Sequence, residues 1–416
     1  MKVLLVTMYF PPGGGGGVQR PLKFATHLPA HGIETHVLAP DDPKWIHADP
    51  DLAPPSQAWV HRARYLGPRA HNLAEELHGR QGLDLVTRQV RSLSRRFLVP
   101  DENVSWNLTA IPAAIRIARA EAIDVVITTS PPNSVHLIGA AVKRTTGVHW
   151  VADLRDSIAT HPHRNVERAS VRTKEKVSEA VARLVARRAD AIVAASDAIA
   201  VELRALGPRG DVTTILNGVD FDDFAGLEYR RGNRFRVTHT GSFFGKRDPR
   251  PFLTAMAESG LEDVVARFVG DFRASDREWA EHLGLAERLE LHAYAPRRKA
   301  LALQRDSDAL LLLIPDAGGR GKGVLSGKVF EYLAAERPIL GAVPADGEAA
   351  RLIRETGAGV VADPDDVGAL AAALVDLHER WVAGTLDGVA LSAEDRERLG
   401  RGARIEELAD LLRSLG

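Results

Sequence analysis

A glycine-rich turn followed by a lysine is the part of this chain that most clearly could bind an anion. The turn begins at Gly321, and Ser326 stands where it can cap a helix that carries Lys328 in its first turn. A helix N-terminus already carries partial positive charge, so a cation there is unfavourable unless an anion binds between the two. Because helix N-termini commonly bind phosphate, we predict a phosphate site at this turn.

A carboxylate shares a helix face with this lysine, since Glu331 lies three residues after Lys328. A carboxylate only accepts hydrogen bonds, which suits it to bind a pair of ribose hydroxyls beside the phosphates. The alternatives are an ordinary ion pair between Lys328 and Glu331, or a generic surface carboxylate. The local pattern predicts a nucleoside-diphosphate pocket that also includes the turn residues Val324, Leu325, Ser326 and Gly327.

These residues require a scaffold, and the hydrophobic pattern predicts one of parallel strands and helices. Short apolar runs alternate with amphipathic stretches up to about residue 220, and the pattern restarts at 235–240. Sheets of this class bind ligands at the carboxyl ends of their strands. We therefore predict an α/β fold of two facing, doubly wound, Rossmann-like domains with a cleft between them. The predicted divisions are a first domain over 1–222, a second domain over 223–395, and a C-terminal helix over 396–416 that packs back toward the first domain.

The segment from 41 to 103 fits neither the strand pattern nor the helix pattern of the rest. Within it, 83–97 places apolar residues on one helical stripe among arginines. This basic helix lies on an anionic membrane, binds an anionic molecule, or docks on the first domain with solvated arginines.

Composition excludes several classes of function. The 416 residues include 54 basic and 55 acidic side chains, a net charge of −1, so no overall field favours nucleic acid. There is no cysteine, which removes thiolate catalysis, disulfides and cysteine metal sites. No apolar run approaches the length of a membrane span. We expect a cytoplasmic protein, with peripheral contact at the inner membrane face if the basic helix binds lipid.

Six short motifs follow the strands in an order typical of one enzyme family. They are Gly16-Gly17-Val18-Gln19-Arg20, 129–133, 150–156, 215–220, 240–248 and the Gly327-Lys328…Glu331 element. On these motifs the chain resembles the retaining GT-B glycosyltransferases of family 4 along nearly its whole length.

The resemblance implies hexosyl transfer from a nucleotide-diphosphate sugar to a hydroxyl of a small-molecule, natural-product, saccharide or lipid-linked acceptor, with retention at the anomeric carbon. A UDP-sugar is favoured as donor and a GDP-sugar is the alternative. No metal and no cofactor are implied. Two other functions stay open, a catalytically silent nucleotide-sugar-binding partner and a nucleotide-sugar epimerase on the same fold.

The resemblance also implies that the domain over 1–222 binds the acceptor and that the domain over 223–395 binds the nucleotide sugar. It further implies roles for particular residues. Arg247 and Lys328 would clamp the leaving diphosphate, with Lys246 as an alternative to Arg247, and solvated surface cations are the plain alternative for both. The donor would further contact Gly16, Gly17, Gly241, Ser242, Tyr294 and Glu331.

Four residues are assigned to the acceptor side or to catalysis. Asp153, Arg155 and Asp156 would bind the acceptor, unless they form a structural ion-pair network. His136 is a candidate catalytic group, and the alternative is a packed histidine.

Two positions depart from the family pattern. The family often has two glutamates eight positions apart, and here the second is Glu331 while the first position holds Gly323. The arginine common after the first glycine of the 240–248 motif is Ser242. A contact to the donor sugar is therefore either missing or made by backbone amides of 321–323.

Overall fold

A computed structural model describes residues 1–41, 48–67, 98–158, 169–243 and 246–416 of the chain. These ranges contain two parallel sheets in the orders β3-β2-β1-β4-β5-β6-β7 and β10-β9-β8-β11-β12-β13. The first sheet is built from β1 (Lys2–Thr7), β2 (Glu34–Pro40), β3 (Ala58–Ala63), β4 (Val125–Ser130), β5 (His149–Leu154), β6 (Ala191–Ala194) and β7 (Asp211–Thr214). The second is built from β8 (Phe235–Thr240), β9 (Val264–Val269), β10 (Leu289–His292), β11 (Ala309–Leu313), β12 (Ile339–Ala342) and β13 (Gly359–Ala362).

Helices cover both faces of these sheets. The first sheet is accompanied by α1 (Gly16–His27), α2 (Asn107–Ala120), α3 (Val135–Thr146), α4 (Ala169–Arg188) and α5 (Asp197–Arg204). The second is accompanied by α6 (Arg250–Glu258), α7 (Ala274–His282), α8 (Arg297–Arg305), α9 (Gly327–Ala334), α10 (Glu348–Glu355) and α11 (Val367–Val382), and the chain ends in α12 (Ala393–Leu399) and α13 (Arg401–Arg413). We call each sheet with its helices a lobe. The predicted α/β fold is confirmed.

The strands of each lobe bury their apolar side chains on both faces, as parallel strands do. In the first lobe Leu4, Trp106 and Trp150 share one cluster, and in the second Phe235 and Phe268 share another. The last helix leaves the second lobe, because α13 packs Ile405, Leu408 and Leu412 against the strand residues Val3 and Leu5. The chain passes between the two sheets over 215–234, and the division at residue 222 stays a prediction.

One strand of the described chain was not predicted. β3 lies at the edge of the first sheet, pairs only with β2, and leaves Trp59 64% exposed. Such a strand lacks the continuous apolar run by which buried parallel strands are recognised. The predicted basic helix over 83–97 lies outside the described residues.

Each sheet has a topological switch point, where successive strands stop being added on one side and are added on the other. This point lies between β1 and β4 in the first sheet and between β8 and β11 in the second. Ligands of open α/β sheets bind at the carboxyl side of this point. A loop of five glycines over 13–17, which we call the glycine loop, follows β1. Gly241 and the turn before α9 follow β8 and β11.

Candidate active site

The candidate site lies at the carboxyl end of β8, where Gly241 adopts a φ of 122°. Residues other than glycine rarely adopt this backbone conformation. A Cβ on Gly241 would lie 2.6 Å from Cε and 2.9 Å from Nζ of Lys328. At the end of β9, a Cβ on Gly270 would lie 2.8 Å from the Gly241 carbonyl carbon. The two glycines let the Lys328 side chain lie directly against the backbone at the end of the sheet.

The N-terminus of α9 brings Lys328 to this place. The Ser326 hydroxyl accepts a hydrogen bond from the Lys328 amide at 3.3 Å, so the predicted helix cap is confirmed. Val324, Leu325 and Ser326 are half-buried and Gly327 is exposed. These four residues border the site, and their contact with a donor stays a prediction.

Two cations share the space above Gly241. Burial, with the nearby Arg247 charge, lowers the pKa of Lys328 to about 7. Arg247 is itself buried, which lowers its pKa, and its Nη1 donates to the Ser242 carbonyl at 3.0 Å. Lys246 is exposed, so the structure turns Arg247 rather than Lys246 toward the interior. Placing like charges together in a buried position is unfavourable, and an anion between them would remove the cost.

A buried histidine near the site has a pKa that both cations lower. His239, on β8, has its Nδ1 2.8 Å from the Leu311 carbonyl oxygen. Its pKa lies well below the ordinary value because of burial, then of Lys328, then of Arg247. Both cations therefore act on one side chain, which remains neutral at physiological pH.

The carboxylate three residues beyond Lys328 pairs with a different cation. Glu331 Oε1 accepts from Arg297 Nη1 at 2.7 Å, and Oε2 accepts from Gln304 Nε2 at 3.2 Å. In the part of the chain that the structure describes, no carboxylate forms an ion pair with Lys328. The alternative of a simple Lys328–Glu331 pair is therefore wrong. Glu331 is held in a defined position, and its role as ribose ligand stays a prediction.

Tyr294 lies where the two lobes meet. Its phenol is beside Asp49 of the first lobe, and burial followed by the Asp49 charge raises the pKa of Tyr294 to about 12. A backbone hydrogen bond from Gly15 opposes that rise. Tyr294 therefore contacts the glycine loop across the lobes, and its contact with a nucleotide base stays a prediction.

Arg155 stabilises the glycine loop through a hydrogen bond to its backbone. Gly16 begins α1, and a Cβ on Gly17 would lie 3.2 Å from Cγ of Tyr9. Arg155 donates from Nη1 to the Gly17 carbonyl at 2.6 Å and from Nε to the Ser130 carbonyl at 2.8 Å. Arg155 thus ties the loop after β1 to the turn after β4. Three of its five guanidinium N–H groups donate to backbone carbonyls, the third to Pro131 at 3.3 Å, so Arg155 has a structural role and its contact with an acceptor stays a prediction.

Asp153 also has a structural role, which corrects its assignment to the acceptor. The carboxylate is 0% exposed and forms an ion pair with Arg20 at 2.7 Å. The Thr129 hydroxyl donates to its other oxygen at 2.6 Å. No solvent-facing oxygen is left to meet a substrate. Asp156, the third residue of this group, is half-buried, and its acceptor role stays a prediction.

His136 is a packed histidine, which corrects its assignment as a catalytic group. The ring is 0% exposed, and Nδ1 lies 2.9 Å from the Thr128 hydroxyl. Burial lowers the pKa of His136 to about 4, although the Asp153 charge opposes the shift. A neutral, enclosed imidazole cannot exchange protons with a substrate between the lobes.

Gly323, which replaces the family's first glutamate, packs against the other lobe. A Cβ on Gly323 would lie 2.6 Å from the Cβ of Ala198, and the Ser196 hydroxyl donates to the Gly323 carbonyl at 3.2 Å. A glutamate at this position would require the Gly323 or Ala198 backbone to shift.

Three residues of this region were not anticipated. Arg297 and Gln304 hold Glu331, and Asp49 meets Tyr294 from the first lobe. The run Arg297-Arg298-Lys299 has the appearance of ordinary surface charge, and nothing local distinguishes its first member.

Comparison with known proteins decides the family. The model of Glycosyltransferase Family 4 matches residues 14–223, just over half of the 416-residue chain. The chain belongs to glycosyltransferase family 4. No curated protein sequence matches it.

Solved structures similar to the chain share its fold at low identity. Sucrose-phosphate synthase from Thermosynechococcus elongatus is 15% identical with a TM-score of 0.67, covering 100% of this chain and 98% of that one. Anabaena HepE in complex with UDP is 15% identical with a TM-score of 0.64, covering 100% of both chains. The UDP-GlcNAc 2-epimerase from Methanocaldococcus jannaschii is 11% identical with a TM-score of 0.54, also covering 100% of both. The predicted GT-B architecture is confirmed.

Among the helices that the structure describes, none has the length and apolar character needed to cross a bilayer. Peripheral contact through 83–97 concerns residues outside the described ranges and stays a prediction.

Proposed function

We propose that this family 4 glycosyltransferase transfers a sugar from a nucleoside-diphosphate donor, with UDP favoured, to an acceptor hydroxyl. The observation that carries the proposal is the convergence of Lys328 and Arg247 beside Gly241 at the N-terminus of α9. Negative charge grows on the diphosphate as the glycosidic bond breaks, and fixed positive groups stabilise that charge. The choice of UDP is supported by the similar Anabaena HepE, which was solved with UDP and with UDP-glucose.

The proposed reaction retains the configuration at the anomeric carbon, as the family resemblance implies. The bond from the anomeric carbon to the phosphate oxygen breaks, and the acceptor oxygen bonds to the same face of that carbon. The departing phosphate takes the acceptor proton, so no protein nucleophile is required. Lys328 and Arg247 would supply the positive charge that a metal provides in other transferases, and turnover should therefore survive a chelator.

Release of free nucleoside diphosphate tests this function. The protein is incubated with UDP- and GDP-sugars, with and without acceptors from cell extract, in the presence of EDTA. Acceptor-dependent release of UDP is the expected result. Conversion of the donor sugar without release would indicate an epimerase, and binding without either change would indicate a silent partner. Both of the latter outcomes contradict the proposal.

Donor binding is expected to take up a proton above pH 7. With a pKa of about 7, Lys328 is mostly neutral at pH 8.5 in the free protein. A bound diphosphate would raise that pKa, so binding favours the protonated lysine. The affinity for UDP should then fall by up to about tenfold per pH unit as the pH rises above 7, until the raised pKa is reached.

Calorimetric titration with UDP in two buffers of different ionisation enthalpy measures this uptake. The variant Lys328→Arg keeps its charge throughout the range and should bind without proton uptake. The exposed Lys299 provides the control, since Lys299→Arg should behave as wild type. A wild-type affinity that stays constant between pH 7 and pH 9 would contradict a diphosphate-bound Lys328 whose pKa is lowered in the free protein.

A further inference from the structure

We propose that Arg297 is a positioning residue that couples the donor-binding helix α9 to the angle between the two lobes. The inference rests on the proposed function, because it takes Glu331 as a donor-contacting group. Arg297 itself is not placed against the donor. It acts through the groups that it holds.

Arg297 is the meeting point of three parts of the molecule. Its Nη1 donates to Glu331 of α9 at 2.7 Å, and its Nη2 donates to Asp223 of the segment between the lobes at 2.8 Å. Its backbone amide donates to Asp49 of the first lobe at 2.9 Å. One residue therefore contacts the donor helix, the connecting segment and the opposite lobe.

These contacts are enclosed and strongly charged. The Arg297 side chain is 15% exposed. Burial alone would lower its pKa, but the Glu331 and Asp223 carboxylates outweigh burial and raise it. Ion pairs screened from water depend on geometry more than exposed pairs do. A small movement of either carboxylate therefore changes the position favoured by the guanidinium.

The connecting segment is held by cations from both lobes. Lys23 of α1 lies 2.5 Å from Asp220 and 3.6 Å from Asp223, and Arg401 of α13 lies 3.2 Å from Asp220. Asp223 is thus shared between Lys23 of the first lobe and Arg297 of the second. A shift of Arg297 therefore alters the balance of charges at the segment that connects the lobes.

The amide contact adds a second link between the lobes. Arg297 is the first residue of α8, and Asp49 accepts its amide hydrogen from across the interface. The preceding Pro296 provides no side-chain cap. Asp49 supplies the negative charge that a helix N-terminus favours, but it does so from the other lobe. Closing the lobes and ordering α8 are therefore coupled.

A donor that engages Glu331 would change how this carboxylate holds Arg297, and through Arg297 the donor would bias the lobe angle. Linkage requires the reverse as well, so disturbing Asp223 must change donor affinity although Asp223 belongs to the connecting segment. The fork of arginine is needed, since its two amino groups reach two carboxylates in fixed directions and a lysine cannot do so.

The test measures UDP affinity by calorimetry and the radius of gyration by X-ray scattering, with and without UDP. Arg297→Gln should weaken UDP binding by about tenfold and give a larger radius with UDP present than wild type. Asp223→Asn should shift both quantities in the same direction. The double variant should lose less UDP affinity than the product of the fold losses of the two single variants, because both substitutions act through one contact. Arg298→Gln, an exposed neighbour, serves as the control and should match wild type.

A second variant separates coupling from simple stabilisation. Arg297→Lys keeps the positive charge but reaches only one carboxylate, so it should keep a higher melting temperature than Arg297→Gln while losing the response of the radius to UDP. If wild type binds UDP but Asp223→Asn binds it equally well, or the two losses multiply, the coupling is wrong and the proposed function stands. If wild type binds neither UDP nor GDP, the proposed function fails and the coupling fails with it.

Discussion

Replacing Lys328 with alanine should lower sugar transfer by about 100-fold or more while the protein still folds, and Arg247→Ala should do the same. Each variant removes one of the two cations that converge beside Gly241 at the N-terminus of α9. These charges gain most where negative charge develops on the leaving diphosphate. The loss should therefore appear mainly in kcat and less in the KM for the donor.

Each variant has a matched control on the exposed face of α8. Lys299→Ala and Arg298→Ala remove the same charges from solvent-facing positions and should keep near-normal turnover. The melting temperature of Lys328→Ala should not fall, because Lys328 is half-buried beside Arg247 and no carboxylate of the described residues forms an ion pair with it. Its removal therefore relieves repulsion from Arg247. Equal turnover of Lys328→Ala and Lys299→Ala would refute the clamp.

Replacing Arg20, which forms a buried ion pair with Asp153, should lower the free energy of unfolding more than the other substitutions proposed. Arg20→Ala leaves the Asp153 carboxylate, which is 0% exposed, without its counter-charge. Breaking such a pair on one side costs about 3–5 kcal/mol. The Leu216 carbonyl, which accepts from Arg20 Nη1 at 2.9 Å, loses its donor as well. Urea denaturation measures the loss as a change in the free energy of unfolding.

The comparison variant for Arg20 is Arg119→Ala, which removes an exposed arginine of the same lobe. A surface substitution of this kind should stay within about 0.5 kcal/mol of wild type. If the two variants lost the same stability, the Arg20–Asp153 pair would contribute little and the corrected role of Asp153 would be wrong.

Much of the fold could be predicted because buried parallel strands appear in the sequence as continuous apolar runs. The bounds of Phe235–Thr240 agree with the restart of the strand pattern expected at 235–240. The helix cap at Ser326 was also predictable, since the cap and the amide that it binds are two residues apart. Local signals of this kind do not depend on how the lobes pack.

Partners that are distant in sequence could not be predicted. Asp153 pairs with Arg20, 133 positions away, so its place after a strand indicated a site but not whether that site faces solvent. Glu331 lies one helical turn from Lys328, yet Arg297 from another helix forms the ion pair. His136 has the same local pattern whether it is packed or exposed. Burial and competition among charges, which the tertiary structure decides, separate these outcomes.

A crystal structure with UDP bound tests the central claim most directly. We expect the diphosphate beside Gly241, with its oxygens within hydrogen-bonding distance of both Lys328 Nζ and the Arg247 guanidinium. A diphosphate bound elsewhere, with these two cations left facing each other, would contradict the proposed donor site.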